Sequence, residues 1–235
     1  MSSISERLQA TLVLIRHAAA QAGRAADAVQ LLAVSKAYPA AAIRAAYAAG
    51  QLAFGENYLQ EALKKMAELS ELPLEWHFIG PIQSNKTRPL AEHFSWVHGI
   101  DRLKIAQRLS EARPAGLPPL NICLQVNVSG ETSKSGCPPQ ETAALAQAVS
   151  SLPRLALRGL MAIPEPTDDV ALQHQQFRML RELRDTLNQQ GLTLDTLSMG
   201  MSHDFPAAIA EGATMVRIGT AIFGARPQKA IQGES

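Results

Sequence analysis

Lys36 stands directly after the apolar run Leu31–Val34 and Ser35. An ammonium group beside a buried run is costly to keep charged, so its pKa falls and the free amine can attack a carbonyl. A lysine where a strand leaves the core can equally be a plain surface residue, and position alone leaves both readings open. Two later stretches are rich in small and hydroxyl-bearing residues: Ser198-Met199-Gly200-Met201-Ser202 and Arg217-Ile218-Gly219-Thr220. Ser198, Ser202 and Thr220 supply O–H donors, and Gly200 and Gly219 let backbone N–H groups come close to an anion. A helix starting near Asp204 would add its first amides. Arg217 is a fixed cation suited to a phosphate oxygen, a pyridine nitrogen or an internal carboxylate.

These residues need elements that bring them together. Short β-rich runs occur at Leu31–Ser35, Leu52–Phe54, Trp76–Ile79, Trp96–His98, Ile122–Val128, Leu155–Ile163, Thr196–Met199 and Met215–Ile218. Segments of helical period lie between them, at about 40–49, 57–69, 84–92, 102–112, 139–151, 169–190 and 204–211. Strand–helix alternation implies right-handed crossovers and a parallel sheet. Eight such units predict an α/β fold, a single (β/α)8 TIM-type barrel, with an open doubly wound sheet as the alternative. Before the first strand, Ile4, Leu8, Leu12 and Ile15 predict an amphipathic N-terminal helix that packs on the barrel. One domain over residues 1–235 is expected, with a frayed tail at Pro227–Ser235. In such a barrel the chemistry sits at the carboxyl ends of the strands, and anions bind after strands seven and eight. Lys36 follows strand one, and the two small-residue stretches follow strands seven and eight. Arg217 shares a strand face with Met215, whereas Val216 and Ile218 point toward the helices.

Composition narrows the class. The chain has 235 residues, 46% of them hydrophobic, with 22 basic and 21 acidic side chains and a net charge of +1. A chain this long buries roughly 70–75% of its unfolded surface without staples. The balanced charge argues against a nucleic-acid or membrane partner. No run of 18 apolar residues exists, and the N-terminus does not have the pattern of a signal peptide. Cys123 and Cys137 have no metal-ligand spacing and read as reduced thiols of a cytoplasmic protein. No metal is expected. The barrel can bury its own core, so a monomer is expected.

An amine on one side and an anion cradle on the other suit a phosphorylated carbonyl compound: pyridoxal 5'-phosphate, or the sugar-phosphate substrate of a Schiff-base aldolase. Five stretches bear on the choice: LLAVSKAYP, FGENYLQEA, EWHFIGPIQSNK, GLMAIP and LSMGMSHDFPAAIAEGATMVRIGTAIFG. In order and spacing, from about Leu31 to Arg226, they resemble the pyridoxal 5'-phosphate homeostasis protein family. That family's barrel is like the N-terminal domain of alanine racemase, and the racemase's β domain has no counterpart here. The resemblance implies that Lys36 holds the cofactor as a Schiff base. It places Ser198, Gly200, Ser202, Gly219 and Thr220 around the phosphate. Asn57, His77 and Met161 would line the ring, and Arg217 would face the pyridine nitrogen. Tyr38 stands where a second lysine is common in relatives, so an alternative amine there is missing. His203 reads as a surface loop residue, and no chemistry is assigned to His98. An arginine at a pyridine nitrogen cannot accept a proton, which weakens the ring as an electron sink. The expected function is therefore storage, protection or delivery of pyridoxal 5'-phosphate to apoenzymes without strong catalysis. A weak amino-acid racemase is the alternative, and the aldolase is a more distant one.

Overall fold

The structure, a computed structural model, describes residues 2–130 and 135–225; the expected fraying of Pro227–Ser235 lies outside the described residues. The chain opens with helix α1, Ile4–Gln21. Ser3 Oγ accepts from the Glu6 amide, and the Glu6 carboxylate accepts from the Ser3 amide. This reciprocal cap satisfies amides that no helical carbonyl can reach. Leu8, Thr11, Ile15, Ala18 and Ala19 recur at three- and four-residue steps and form the buried face.

Eight strands follow: β1 (Gln30–Val34), β2 (Ala53–Glu56), β3 (Glu75–Phe78), β4 (Trp96–Ile100), β5 (Leu120–Gln125), β6 (Leu155–Met161), β7 (Thr196–Ser198) and β8 (Met215–Ile218). They pair in parallel in chain order and close, β8 against β1. Helices cross over outside: α2 (Ala40–Ala48), α3 (Leu59–Glu68), α4 (Thr87–His93), α5 (Leu103–Ala112), α6 (Pro139–Ser150), α7 (Val170–Gln189) and α8 (Phe205–Ala210). The (β/α)8 barrel expected from the sequence is the observed fold. Helix α1 lies against α2, α8 and a short α9, Thr220–Phe223.

Strand alternation sorts the core into two zones. The large apolar cluster, with Val216, Ile218, Phe54 and Leu180, fills the space between strands and helices. Two smaller clusters lie inside the barrel: Leu32, Val34, Ala53, Ile79 and Met215, and then Trp96, Cys123 and Met161. Polar side chains share that interior. His77, His98, Ser198 and Arg217 are all buried on strands whose inward faces they occupy.

Some element ends differ from the sequence reading. Strand β5 stops at Gln125 because Val126 and Asn127 turn to pair with Cys137 across the returning loop. Strand β6 stops at Met161, three residues before Pro164, which has no amide to donate. The segment at 84–92 is a 3-10 turn, Ser84–Lys86, followed by α4. Helix α9 had no separate signal in the sequence, since its apolar residues continue the β8 texture.

Gly159 shows how tightly β6 and β7 approach. A Cβ there would lie 1.8 Å from the Thr196 carbonyl oxygen, a backbone atom that cannot swing aside. Gly159→Ala should therefore destabilise the fold by about 3 kcal/mol, read as a lower urea midpoint; an unchanged midpoint contradicts this packing.

The buried imidazoles give the fold a pH dependence. Burial lowers the pKa of His77 and pushes that of His98 well below the ordinary value. The unfolded chain protonates both near pH ~6.5, so below that pH it binds more protons than the folded chain. Their contribution is full above about pH 6.5 and is lost as the pH falls. Urea unfolding between pH 7.5 and 5 should show a steeper stability loss in the native chain than in His98→Asn; equal slopes would refute this assignment.

Candidate functional site

The site is built from residues just past the carboxyl ends of the strands. On β1 Val34 points inward and Ser35 outward, so alternation turns Lys36 inward. Lys36 itself is half-buried and lines a cavity at the barrel mouth.

The turn carrying Lys36 is held from outside the barrel wall. Lys65 on α3 is buried, and its Nζ donates to the Ser35 carbonyl at 2.8 Å, to Glu56 Oε1 at 2.8 Å and to Glu61 Oε1 at 2.5 Å. Ser35 Oγ donates to Glu56 Oε1 at 2.6 Å, and the Ala37 amide donates to Glu61 Oε1 at 2.7 Å. Ala37 sits at φ +66°, a left-handed conformation that L residues with a Cβ seldom adopt. The two residues flanking Lys36 are thus pinned by one ion cluster, and the cluster keeps the strained turn in place. Burial raises the pKa of Glu56, and the Lys65 charge only partly offsets it.

Arg217 forms another part of the cavity wall. It comes from β8, is 3% exposed, and donates to the Ser198 carbonyl at 2.6 Å, Ser198 Oγ at 2.9 Å and the Ala162 carbonyl at 2.8 Å. Burial lowers its pKa to about 10, countered in part by Asp204, which leaves it cationic at neutral pH.

The cavity holds 340 Å³. Of the residues singled out in the sequence, Lys36, Asn57, Ser202, Arg217, Gly219 and Thr220 line it. Val34, Ile79, Ile163 and Met201 add apolar wall, and exposed His203 reaches the rim. Asn57 Oδ1 is buried and has no hydrogen-bond partner among the described residues.

Four predicted residues lie outside this wall. Fully buried His77 bonds His98 at 3.0 Å and Glu75 at 2.7 Å, deeper in the barrel. Met161 packs with Trp96 and Cys123 in the interior. Ser198 is fully buried, and its hydroxyl is engaged by Arg217 and His98. Gly200 has φ +94°, and a Cβ there would lie 2.7 Å from Ala208 Cβ. Its glycine character is thus explained by backbone geometry and helix packing. The Asp204 carboxylate accepts from the Met201 amide at 2.6 Å and so takes one N–H of the loop after β7. Tyr38 turns away from the cavity: its hydroxyl donates to the Gly224 carbonyl at 2.6 Å, and its ring lies against Phe223.

Sequence reasoning missed the apolar wall and gave His98 no chemistry. A period-two signal was available, since Glu75 and His77, like Trp96 and His98, alternate on one strand face. What the sequence lacked was the register that sets His77 beside Trp96 and His98.

Comparison with known proteins places this geometry. The family described as "Alanine racemase, N-terminal domain" matches residues 11–227. A pyridoxal phosphate homeostasis protein of Pseudomonas aeruginosa is 70% identical over 226 residues, 96% of this chain and 97% of that protein. One from Vibrio alginolyticus is 55% identical over 230 residues, 96% of this chain and 99% of that protein. Among solved structures, PipY of Synechococcus elongatus with PLP bound is 42% identical, with a TM-score of 0.81, covering 94% of this chain and all 100% of that one. Fold, matched length and identity agree: the chain belongs to the pyridoxal phosphate homeostasis protein family, whose barrel is that of the alanine racemase N-terminal domain.

Proposed function

We propose that this chain binds pyridoxal 5'-phosphate as a Schiff base on Lys36 and serves in its homeostasis, by storing, protecting or delivering it, without strong catalytic activity. The observation that carries this reading is the meeting of an amine, Lys36, and a guanidinium, Arg217, in the wall of one 340 Å³ cavity. The residues fit the group. Asn57 Oδ1 is a buried polar atom on that wall without a protein partner, so a ligand hydroxyl gives it one. Ser202 and Thr220 bring hydroxyl donors to the same wall. PipY, similar along nearly its whole length, has been solved with PLP bound.

The chain's own residues define what the site does. The bound cofactor supplies an aldehyde that condenses with an amine and a ring that withdraws electrons from it. Lys36 stands on the pinned turn of Ser35 and Ala37, which fixes the backbone that carries its amine at the cavity. Val34, Ile79 and Ile163 make the wall around it partly apolar. Arg217 cannot take up a proton, and its charge disfavours a second cation beside it. That suits holding a reactive aldehyde better than turning over amino acids. Tyr38 cannot act as an acid or base in the cavity while its hydroxyl donates to Gly224. Recipients of the cofactor would be apoenzymes that depend on it. A monomer acting in the cytoplasm completes this reading; among the described residues no helix is long and apolar enough to cross a membrane.

Incubated with pyridoxal 5'-phosphate, the purified chain should develop an imine absorbance that borohydride abolishes, leaving a pyridoxyl adduct on the Lys36 peptide. Lys36→Ala should lose that adduct, and single-enantiomer alanine or serine should keep its optical purity. Rapid racemisation dependent on Lys36 would overturn the binding-protein reading in favour of a racemase.

Replacing Ser202 by Ala and Thr220 by Val together should weaken retention by about 2–4 kcal/mol, at about 1–2 kcal/mol per charge-assisted bond lost. Equilibrium dialysis reads the change, and an unaltered affinity would refute the phosphate assignment.

A further inference from the structure

Five side chains cross the barrel interior in one hydrogen-bonded chain. Arg217 Nη1 donates to Ser198 Oγ at 2.9 Å, Ser198 Oγ lies 2.9 Å from His98 Nδ1, His98 Nε2 lies 3.0 Å from His77 Nδ1, and His77 Nε2 lies 2.7 Å from Glu75 Oε1. Ser198 and both histidines are fully buried. The far end meets bulk solvent: the Glu75 side chain is 43% exposed at the amino-terminal end of β3, opposite the cavity that Arg217 lines.

The two ends dictate the protons between them. The hydrogen bond from His77 holds the Glu75 carboxyl below its usual pKa, so Glu75 is an acceptor only. His77 Nε2 therefore carries a hydrogen. Burial keeps the ring neutral, so Nδ1 is a lone pair that accepts from His98 Nε2–H. His98 Nδ1 is then also an acceptor, and it takes the hydroxyl proton of Ser198. Ser198 Oγ turns a lone pair to the Arg217 guanidinium, which can only donate. Every bond runs from the cation to the carboxylate, and bonds aligned this way polarise one another. The buried guanidinium needs such help, because its three acceptors, the two carbonyls and the Ser198 hydroxyl, are all neutral.

We propose that Glu75, His77 and His98 are positioning residues for Arg217: a one-way proton order, set by Glu75 at the far end of the barrel, fixes the Ser198 hydroxyl and with it the guanidinium in the cavity wall. The relay would let a carboxylate on the opposite face govern how firmly the mouth holds its anionic ligand. That last consequence rests on the cofactor reading above; the proton order does not.

The test uses the full chain labelled with 15N and two substitutions. Glu75→Gln keeps an acceptor for His77 and removes the charge, whereas Glu75→Leu removes the acceptor. Long-range 1H–15N spectra of the native chain between pH 8 and 7 should show His77 and His98 neutral, with hydrogen on Nε2, and slowly exchanging Arg217 Nη protons. Glu75→Gln should keep this pattern. Glu75→Leu should shift at least one ring to the Nδ1–H tautomer and speed Arg217 exchange. Release of pyridoxal 5'-phosphate should be about tenfold faster in Glu75→Leu and less than about threefold faster in Glu75→Gln. Hydrogen on Nδ1 of either ring in the native chain, or double protonation there, overturns the proposal even if Glu75→Leu fails to fold. So does a folded Glu75→Leu chain with native tautomers, native exchange or native release. A native chain that retains no pyridoxal 5'-phosphate sinks the cofactor reading instead, and the tautomers and Arg217 exchange then decide the relay alone.

Discussion

The two-residue alternation of a closed parallel barrel sets everything else. Each inward position must be filled by a side chain, and the filling of this barrel changes along its axis. The deeper interior takes Trp96, Cys123 and Met161 with the two histidines. The carboxyl end takes Lys36 and Arg217, whose charges need solvent or a ligand nearby. Because all strands run the same way, the residues that follow them gather at one mouth. Lys36 and Arg217 lie 181 residues apart in the chain, yet they share one cavity wall because β1 and β8 are neighbours, with Leu32 beside Arg217.

Charge is managed on both sides of the wall. Outside, Lys65 bridges Glu56 and Glu61 and so fixes the backbone around Lys36. A buried ion cluster of this sort adds little net stability, since desolvation consumes much of the Coulombic gain. Its use here is geometric: it holds Ala37 in a conformation that few contacts would sustain. Inside, Arg217 rests on carbonyls and the Ser198 hydroxyl, with the histidines leading away to Glu75. One network aims an amine and the other aims a guanidinium at the same cavity.

Much of this was legible in the sequence, for physical reasons. Eight apolar β-rich runs separated by helical segments announce a parallel barrel, and the fold then assigns its chemistry to one end. Lys36, Asn57, Arg217, Gly219 and Thr220 reach the wall because each lies within a residue or two of a strand's carboxyl end, and Ser202 reaches it from the loop that follows β7. Strand ends were less legible. Nothing local says that Val126 leaves the sheet, since its partner Cys137 lies across a loop. Ser198 and Gly200 carry residue types that suit an anion loop, but their neighbours claim them: Arg217 and His98 take the hydroxyl, and Ala208 fills the space a Cβ would need. The histidine pair was hidden because it depends on cross-strand register, and Lys65 was hidden because a lysine on an amphipathic helix reads as solvated.

The central claim is a covalent bond between one amine and one cofactor, and a crystal structure of the chain grown with pyridoxal 5'-phosphate tests it most directly. The account predicts electron density continuous with Lys36 Nζ, the phosphate beside Ser202 and Thr220, and Asn57 Oδ1 newly partnered. Density on a different lysine, or a ligand seated outside this cavity with Lys36 untouched, would contradict it.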